Sequence, residues 1–370
     1  MAETKIEWAD YTFNPWRGCQ KVSPGCEHCY ADTMSKRNPG TLGVWGPNGT
    51  RVVAAESYWR LPVKWDKLAT CNCGAAGTGG VQCEWCKAGC PRPRVFCASL
   101  ADVFEDWQGR MVDAQGDTHW HNGTPVPVGA STTFIPFRPS TMDDVRQRLF
   151  KLIDATPNLD WLLVTKRPEN VARCLARYGE RIDTYAAEAF STIWNRRVWL
   201  GTSVENQATA DERIPQLLRV PAAVRFLSME PLLGPVDLVY AAAFSQGSKA
   251  LDGLNWVIVG GESGPQARPC NIEWIRSIVR QCKAAGVPCF VKQLGANVRD
   301  RNDAGFMGDP GDSWDVDPFS QVEHDPDGVL EQYQGAPVRV LLSDRKGGDP
   351  SEWPADLRVR ELPETVTTGQ

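Results

Sequence analysis

The chain has 370 residues, 42% of them hydrophobic and 23% charged, which suits one large globular domain or two modest ones. A formal net charge of −5 argues against a general polyanion binder, though not against a local basic cleft. Residues 1–7 lack an apolar run and no later stretch reaches about 18 uninterrupted apolar residues, so the expectation is a cytoplasmic protein without a membrane span.

Residues 6–14 are expected to form a first strand, which feeds a segment carrying Cys19, Cys26 and Cys29 at C-x6-C-x2-C spacing. Three thiolates so spaced can hold three irons of a [4Fe–4S] cluster, a cofactor that ordinarily takes four cysteines. One iron would stay open, and an open metal position is where chemistry occurs. The rival reading is a structural zinc knuckle completed by a distant ligand or by His28.

Two turn-rich stretches follow, both expected as insertions between the first and second barrel strands. Residues 67–94 hold Cys71, Cys73, Cys83, Cys86 and Cys90. A C-x-C pair and a C-x2-C pair supply four thiolates from Cys71, Cys73, Cys83 and Cys86, enough for a zinc-stapled insertion. A second iron–sulfur cluster and unliganded thiols are the alternatives. Residues 105–139 carry His119 and His121 on either side of Trp120, expected at the surface.

Short continuous runs rich in Val, Ile, Leu and Trp recur at 95–102, 161–166, 198–205, 224–230, 256–262 and 288–293. Such runs read as strands buried on both faces. Between them lie helical patterns. Residues 141–156 place Val145, Leu149, Leu152 and Ile153 on one side, with Ser140 as N-cap. Residues 168–178 open on Pro168 and stop at Gly179, and 271–285 repeat Ile272, Ile275, Ile278 and Val279 before a stop at Gly286. Strand–helix alternation predicts an α/β fold with a parallel sheet, as a partial or full (β/α) barrel. Residues 1–66 would hold the first strand and the cysteine loop. Residues 67–139 would be the insertion, interrupted by the strand at 95–102. Residues 140–299 would complete the barrel, and 300–370 would be a loop-rich extension with one strand at 338–342.

The cysteine loop and its strand–helix followers resemble radical S-adenosylmethionine (SAM) enzymes. More closely, the chain resembles the phage-type three-Cys-motif family, a domain of unknown function. The phrases that carry this are Thr4-Lys-Ile-Glu-Trp-Ala-Asp10, Asn14-Pro-Trp-Arg-Gly-Cys19, Val22-Ser-Pro-Gly-Cys-Glu-His-Cys-Tyr-Ala31 and Leu163-Val-Thr-Lys-Arg-Pro-Glu169. Trp199-Leu-Gly-Thr-Ser-Val-Glu-Asn206, Glu230-Pro-Leu-Leu-Gly-Pro-Val-Asp237 and Trp256-Val-Ile-Val-Gly-Gly-Glu-Ser-Gly-Pro265 extend it. The first cysteine gap is three residues longer than the commonest C-x3-C-x2-C spacing of the superfamily.

The resemblance implies that Cys19, Cys26 and Cys29 hold the cluster and that its unique iron chelates SAM. One electron would then release a 5′-deoxyadenosyl radical able to abstract hydrogen from an unactivated C–H bond. By strand order, Ser99 and Asp102 would lie near the methionine part of the cofactor, and Tyr30 is a further cofactor-binding candidate. Ser203, Glu205 and Asn206 would lie near its ribose, and Gly260, Gly261 and Glu262 near adenine or substrate. Lys166 and Arg167 could pair with a carboxylate or phosphate, and Glu230, Lys292 and Lys166 are the candidate catalytic groups. The implied substrate is a nucleobase in phage DNA, for example a glycyl substituent on thymidine isomerised during hypermodification, with an electron donor as a further partner. Alternatives are a radical SAM enzyme acting on a nucleic-acid lesion, tRNA or peptide, and a zinc-stapled binding module without catalysis.

Overall fold

The structure is a computed structural model, and it describes residues 4, 6–69, 92–121, 125–128, 131–134, 138–180, 184–239, 250–300 and 338–363. Seven strands make the main sheet: β1 (Tyr11–Phe13), β2 (Arg94–Cys97), β3 (Asp160–Thr165), β4 (Val198–Ser203), β5 (Val224–Met229), β6 (Trp256–Gly260) and β7 (Cys289–Gln293). They lie side by side in chain order. The pairs β1–β2, β2–β3, β3–β4 and β6–β7 are parallel. A sheet that never reverses its order has the wiring of a (β/α) barrel, whereas a doubly wound sheet reverses at a switch point. The fold is α/β and compatible with a partial barrel.

The strands read as apolar runs because both their faces are covered. Every residue of β4 and β6 is buried, as are Trp161, Leu162 and Leu163 in β3. A half-solvated strand would have to alternate polar residues on one face; these do not.

The chain divides into two compact units, one running to Thr202 and taking in Gln216–Phe226, the other made of Ser203–Pro215 and Leu227–Pro363. The first holds β1–β3, helix α1 (Tyr30–Arg37), α2 (Met142–Asp154), α3 (Val171–Gly179) and α4 (Thr184–Arg197). Phe13 sits at its aromatic centre, stacked on Tyr58 at 5.2 Å and edge-on to Trp59 and Trp161 at 5.3 and 5.9 Å. Such pairs contribute about 0.5–1.5 kcal/mol each beyond the apolar area they bury.

The α2 helix buries Val145, Leu149, Phe150, Leu152 and Ile153. Its N-cap is Thr141 rather than the expected Ser140. Thr141 has extended φ and ψ and its side chain accepts from Asp144 N, while the Asp144 carboxylate accepts from Thr141 N, a reciprocal box that one-residue sequence reading misses. The Ser140 hydroxyl is 2.9 Å from His119 Nδ1 instead.

The α5 helix (Gln207–Leu218) begins in the second unit, which also holds α6 (Ile272–Ala285), packed beside β6 and β7. Asn271 caps α6 by accepting from Glu273 N, and Gly286 closes it at φ +68°, as its position predicts. The strand expected at 338–342 spans Val338–Val340 and runs antiparallel to Val298–Asp300.

Other expectations need correction. Residues 105–139 follow β2 and precede β3, so they enter after the second strand rather than before it. The strand expected at 6–14 begins only at Tyr11, because Asp10 turns to accept from Arg94 N at 2.7 Å. The strand expected at 95–102 ends at Cys97, and a turn at Ser99 and Leu100 follows before Ala101 bridges Gly18. The α3 helix runs through Gly179 to a cap at Glu180. Among the described residues no helix is long and apolar enough to cross a membrane.

At the start of β3, burial pushes the Asp160 carboxyl up from 3.8 to about 6, overriding its 2.7 Å ion pair with Arg92. A raised carboxyl pKa means that the folded state holds the proton more tightly. The resulting stability is complete below the unfolded value of 3.8 and is lost as pH rises through about 6. Asp160→Asn mimics the protonated form, and Arg92, 21% exposed at its side chain, keeps its bond to Arg196 O. Urea titrations from acid to neutral pH should show the variant gaining on the wild type by about 2–3 kcal/mol over that window. A pH-independent difference would refute the assignment.

Candidate functional site

The segment that leaves β1 is stitched to the turn after β2. Asn14 is buried; its Nδ2 donates to Ser99 Oγ at 3.1 Å and its Oδ1 accepts from Leu100 N at 2.8 Å. Gly18 N donates to Leu100 O at 3.0 Å, and Gly18 bridges Ala101 in parallel fashion. Gly18 has φ +118°, and a Cβ there would stand 2.7 Å from Thr50 O, so no other residue fits. Tyr30, at the start of α1, donates its hydroxyl to Ser99 O at 2.6 Å although the residue is 56% exposed. Cys19, Cys26 and Cys29 therefore sit on a loop fastened at the C-terminal ends of β1 and β2, where barrel enzymes place their chemistry.

Beneath the loop lies a buried ion network. Arg51 donates from Nε and Nη2 to the two Glu105 carboxylate oxygens, both at 2.7 Å, and both side chains are 0% exposed. The Arg51 guanidinium lies 3.7 Å from the centre of the Trp107 ring. Arg167, just past β3, donates from Nη1 to Asp102 at 2.8 Å, and its Nη2 is 3.6 Å from Glu105. The two carboxylates and two guanidiniums balance, which is the condition for burying charge.

This network grips the loop at one residue. Gln20 N donates to Glu105 Oε1 at 3.1 Å, and Gln20 O accepts from Arg167 Nη2 at 3.0 Å. Arg167 Nη1 also reaches Cys19 Sγ at 3.8 Å. Burial, then Glu105 and Asp102, push the Cys19 thiol up to about 12, with Arg167 opposing. Burial alone would lower the Arg167 pKa, but Asp102, Cys19 and Glu105 carry it upward. Burial and the two carboxylates outweigh Arg167, so the protonated thiol is favoured until a metal ion takes the sulfur.

Asp102, expected near the cofactor, has both its carboxylate oxygens bonded within the protein. Its Oδ1 accepts from Phe104 N and Thr165 Oγ1, and its Oδ2 accepts from Lys166 N and Arg167 Nη1. A carboxylate has about four acceptor sites, and these bonds use them. Ser99 likewise faces Asn14. Lys166 is half-buried, held through its backbone N by Asp102.

The second unit shows the same economy of polar groups. Glu205 is fully buried and accepts from Arg213 Nη1 at 2.9 Å; the same nitrogen reaches Ser203 O at 2.9 Å. Asn206 Oδ1 accepts from Thr209 N, tying it to the first turn of α5. Glu262 accepts from Arg268 N, Nε and Nη2 at 2.6–2.9 Å. A Cβ on Gly261 would lie 2.2 Å from Leu294 O, so this glycine is needed for close backbone approach after β7. A Cβ on Gly260 would lie 3.0 Å from Glu230 Oε1. Lys292 Nζ donates to Glu230 at 3.1 Å, so the two expected catalytic groups form one ion pair.

None of Cys19, Cys26 and Cys29 is in a disulfide. Among the described residues no three His, Cys, Asp or Glu side chains are already gathered around a common point. Cys71, Cys73, Cys83 and Cys86 lie outside the described residues. Sequence reading missed Asn14, Arg51 and Glu105. Asn14 had a signal in its place three residues before the loop's Arg17-Gly18-Cys19, whereas Arg51 and Glu105 are 54 residues apart and nothing local couples them.

Breaking the Arg51–Glu105 pair should be costly. Glu105→Gln leaves two buried guanidiniums short of charge, and its unfolding free energy in urea should fall by about 3–5 kcal/mol. A change below about 1 kcal/mol would mean that the network does not hold the loop.

A family model described as a protein of unknown function (DUF5131) matches residues 3–116 and 115–336. No curated protein and no solved structure matches the chain.

Proposed function

The chain belongs to the DUF5131 family, and on that premise we propose that it is a radical SAM enzyme acting on a nucleobase in DNA. One observation carries the reading: a loop of three free thiols is pinned at the C-terminal end of parallel strands by a buried ion network. The donor set fits a [4Fe–4S] cluster with one iron left to a cofactor. The bonds that pin the loop fall at Gly18, Gln20 and Tyr30, so the sulfurs of Cys26 and Cys29 can converge on a metal without unseating it.

When bound, the cluster with SAM supplies one-electron chemistry that reaches unactivated C–H bonds. The chain's own residues hold and orient it. Glu105 and Arg167 fix the N–H and the carbonyl of Gln20 and hence the direction of Cys19, and Tyr30 fastens the far side of the loop. The loop and α1 also expose Lys21, Lys36 and Arg37. Lys21 and Lys36 share Asp32 as partner, leaving local positive charge that the total of −5 conceals. Phosphate contact depends on such placement. The substrate class comes from the family resemblance in the cysteine phrases, and a base in duplex DNA would have to be flipped out or met on opened strands.

The test is anaerobic reconstitution with iron and sulfide, followed by SAM-cleavage assays with and without thymidine-hypermodified phage DNA. The wild type should bind about four irons and four sulfides per chain, release 5′-deoxyadenosine, and alter the nucleoside composition of the DNA by mass spectrometry. Cys19→Ala, Cys26→Ala and Cys29→Ala should each lose the iron and the cleavage. Zinc in place of iron would sink the reading, and cleavage with unchanged DNA nucleosides would remove the DNA part of it.

A further inference from the structure

The Arg167 guanidinium is held by more partners than a simple ion pair needs. Nη1 donates to Asp102 Oδ2 at 2.8 Å, Nη2 donates to Gln20 O at 3.0 Å, and the backbone N donates to Thr165 Oγ1 at 2.9 Å. Asp102 is in turn fixed by Thr165 Oγ1, Lys166 N and Phe104 N. The planar fork therefore cannot swing away, and Nη1 is left 3.8 Å from Cys19 Sγ. Arg167 is only 7% exposed at its side chain, so water does little to screen it. A buried cationic N–H beside a thiolate draws electron density from the sulfur. Hydrogen bonds to ligand sulfurs are among the effects that set iron–sulfur potentials, and such outer partners orient the ligands and tune the site.

Resting on the cluster reading above, we propose that Arg167 is a positioning residue that raises the reduction potential of a cluster held through Cys19, with Asp102 as the opposing charge that limits the rise. The reduced cluster carries one more negative charge, so a nearby cation favours it and a nearby carboxylate disfavours it. The two side chains touch each other, yet their removal should move the potential in opposite directions. A general loosening of the fold would move both the same way.

The experiment is a potentiometric titration of the anaerobically reconstituted full chain, followed by electron paramagnetic resonance, with iron and sulfide counted for each variant. Arg167→Met should keep the iron but lower the reduced-to-oxidised ratio at a fixed potential about tenfold, equivalent to about 59 mV for one electron. Asp102→Asn should raise that ratio. Arg167→Lys keeps the charge without the fork and should restore part of the loss. If Arg167→Met misfolds because Asp102 is left buried without a partner, the neutral double variant R167M/D102N removes both charges. Its ratio should then fall between those of the wild type and what the lost bond to sulfur alone would give, two- to tenfold below the wild type. Full iron with a ratio within twofold of the wild type in R167M, or in the double variant when R167M does not fold, would overturn this inference alone. Shifts of one sign in R167M and D102N would do the same. A wild-type chain that binds no iron and sulfide would overturn the cluster reading and this inference with it.

Discussion

Four charged side chains buried under a loop hold this site together. Arg51 and Arg167 face Glu105 and Asp102 with almost no solvent between them. Removing such charges from water is expensive, and well-packed apolar residues often serve stability as well. Stability alone gives little reason for the network. Its geometry gives another, because it clamps both the N–H and the carbonyl of Gln20 and brings a guanidinium to the sulfur of Cys19. A loop that must present three thiols in a fixed direction gains from being tied by directional bonds rather than by packing, which specifies volume more than orientation.

The sheet supplies the platform for those bonds. Asp102 follows β2, Arg167 follows β3, and the loop follows β1, so three neighbouring parallel strands deliver their chain ends to one place. Parallel strands all point the same way, and their C-terminal turns are free to carry chemistry while the strands themselves are covered by apolar residues. Phe13 and its ring of Tyr58, Trp59 and Trp161 make the floor rigid one residue before Asn14 begins the stitching.

Several residues that look like ligand contacts in the sequence are spoken for. Asp102 spends its acceptor sites on Phe104 and on Thr165, Lys166 and Arg167 at the end of β3, Glu205 is paired with Arg213, and Glu262 is wrapped by Arg268. Polar residues at strand ends attract functional readings, but a buried carboxylate needs partners before it can do anything else. The glutamate Glu230 and the lysine Lys292 are also engaged, with each other, at 3.1 Å. An ion pair of that kind, partly open to solvent, can still be exchanged for contacts to a ligand.

What the sequence determined by itself was whatever is periodic or contiguous. The β3, β4 and β6 strands were legible because both faces are covered and the apolar run is unbroken; α6 was legible through its apolar repeat and its closing glycine; the cysteine spacing was legible because all three thiols lie within one short segment. Tertiary structure alone decided which polar residues meet. Arg51 finds Glu105 across 54 residues and Arg167 finds Cys19 across 148, separations over which no local pattern acts. It also moved the α2 cap from Ser140 to Thr141, because a capping box depends on two side chains reaching back at once. Backbone preferences are written locally and can be read locally, whereas the pairing of buried charges is settled only when the chain has closed around them.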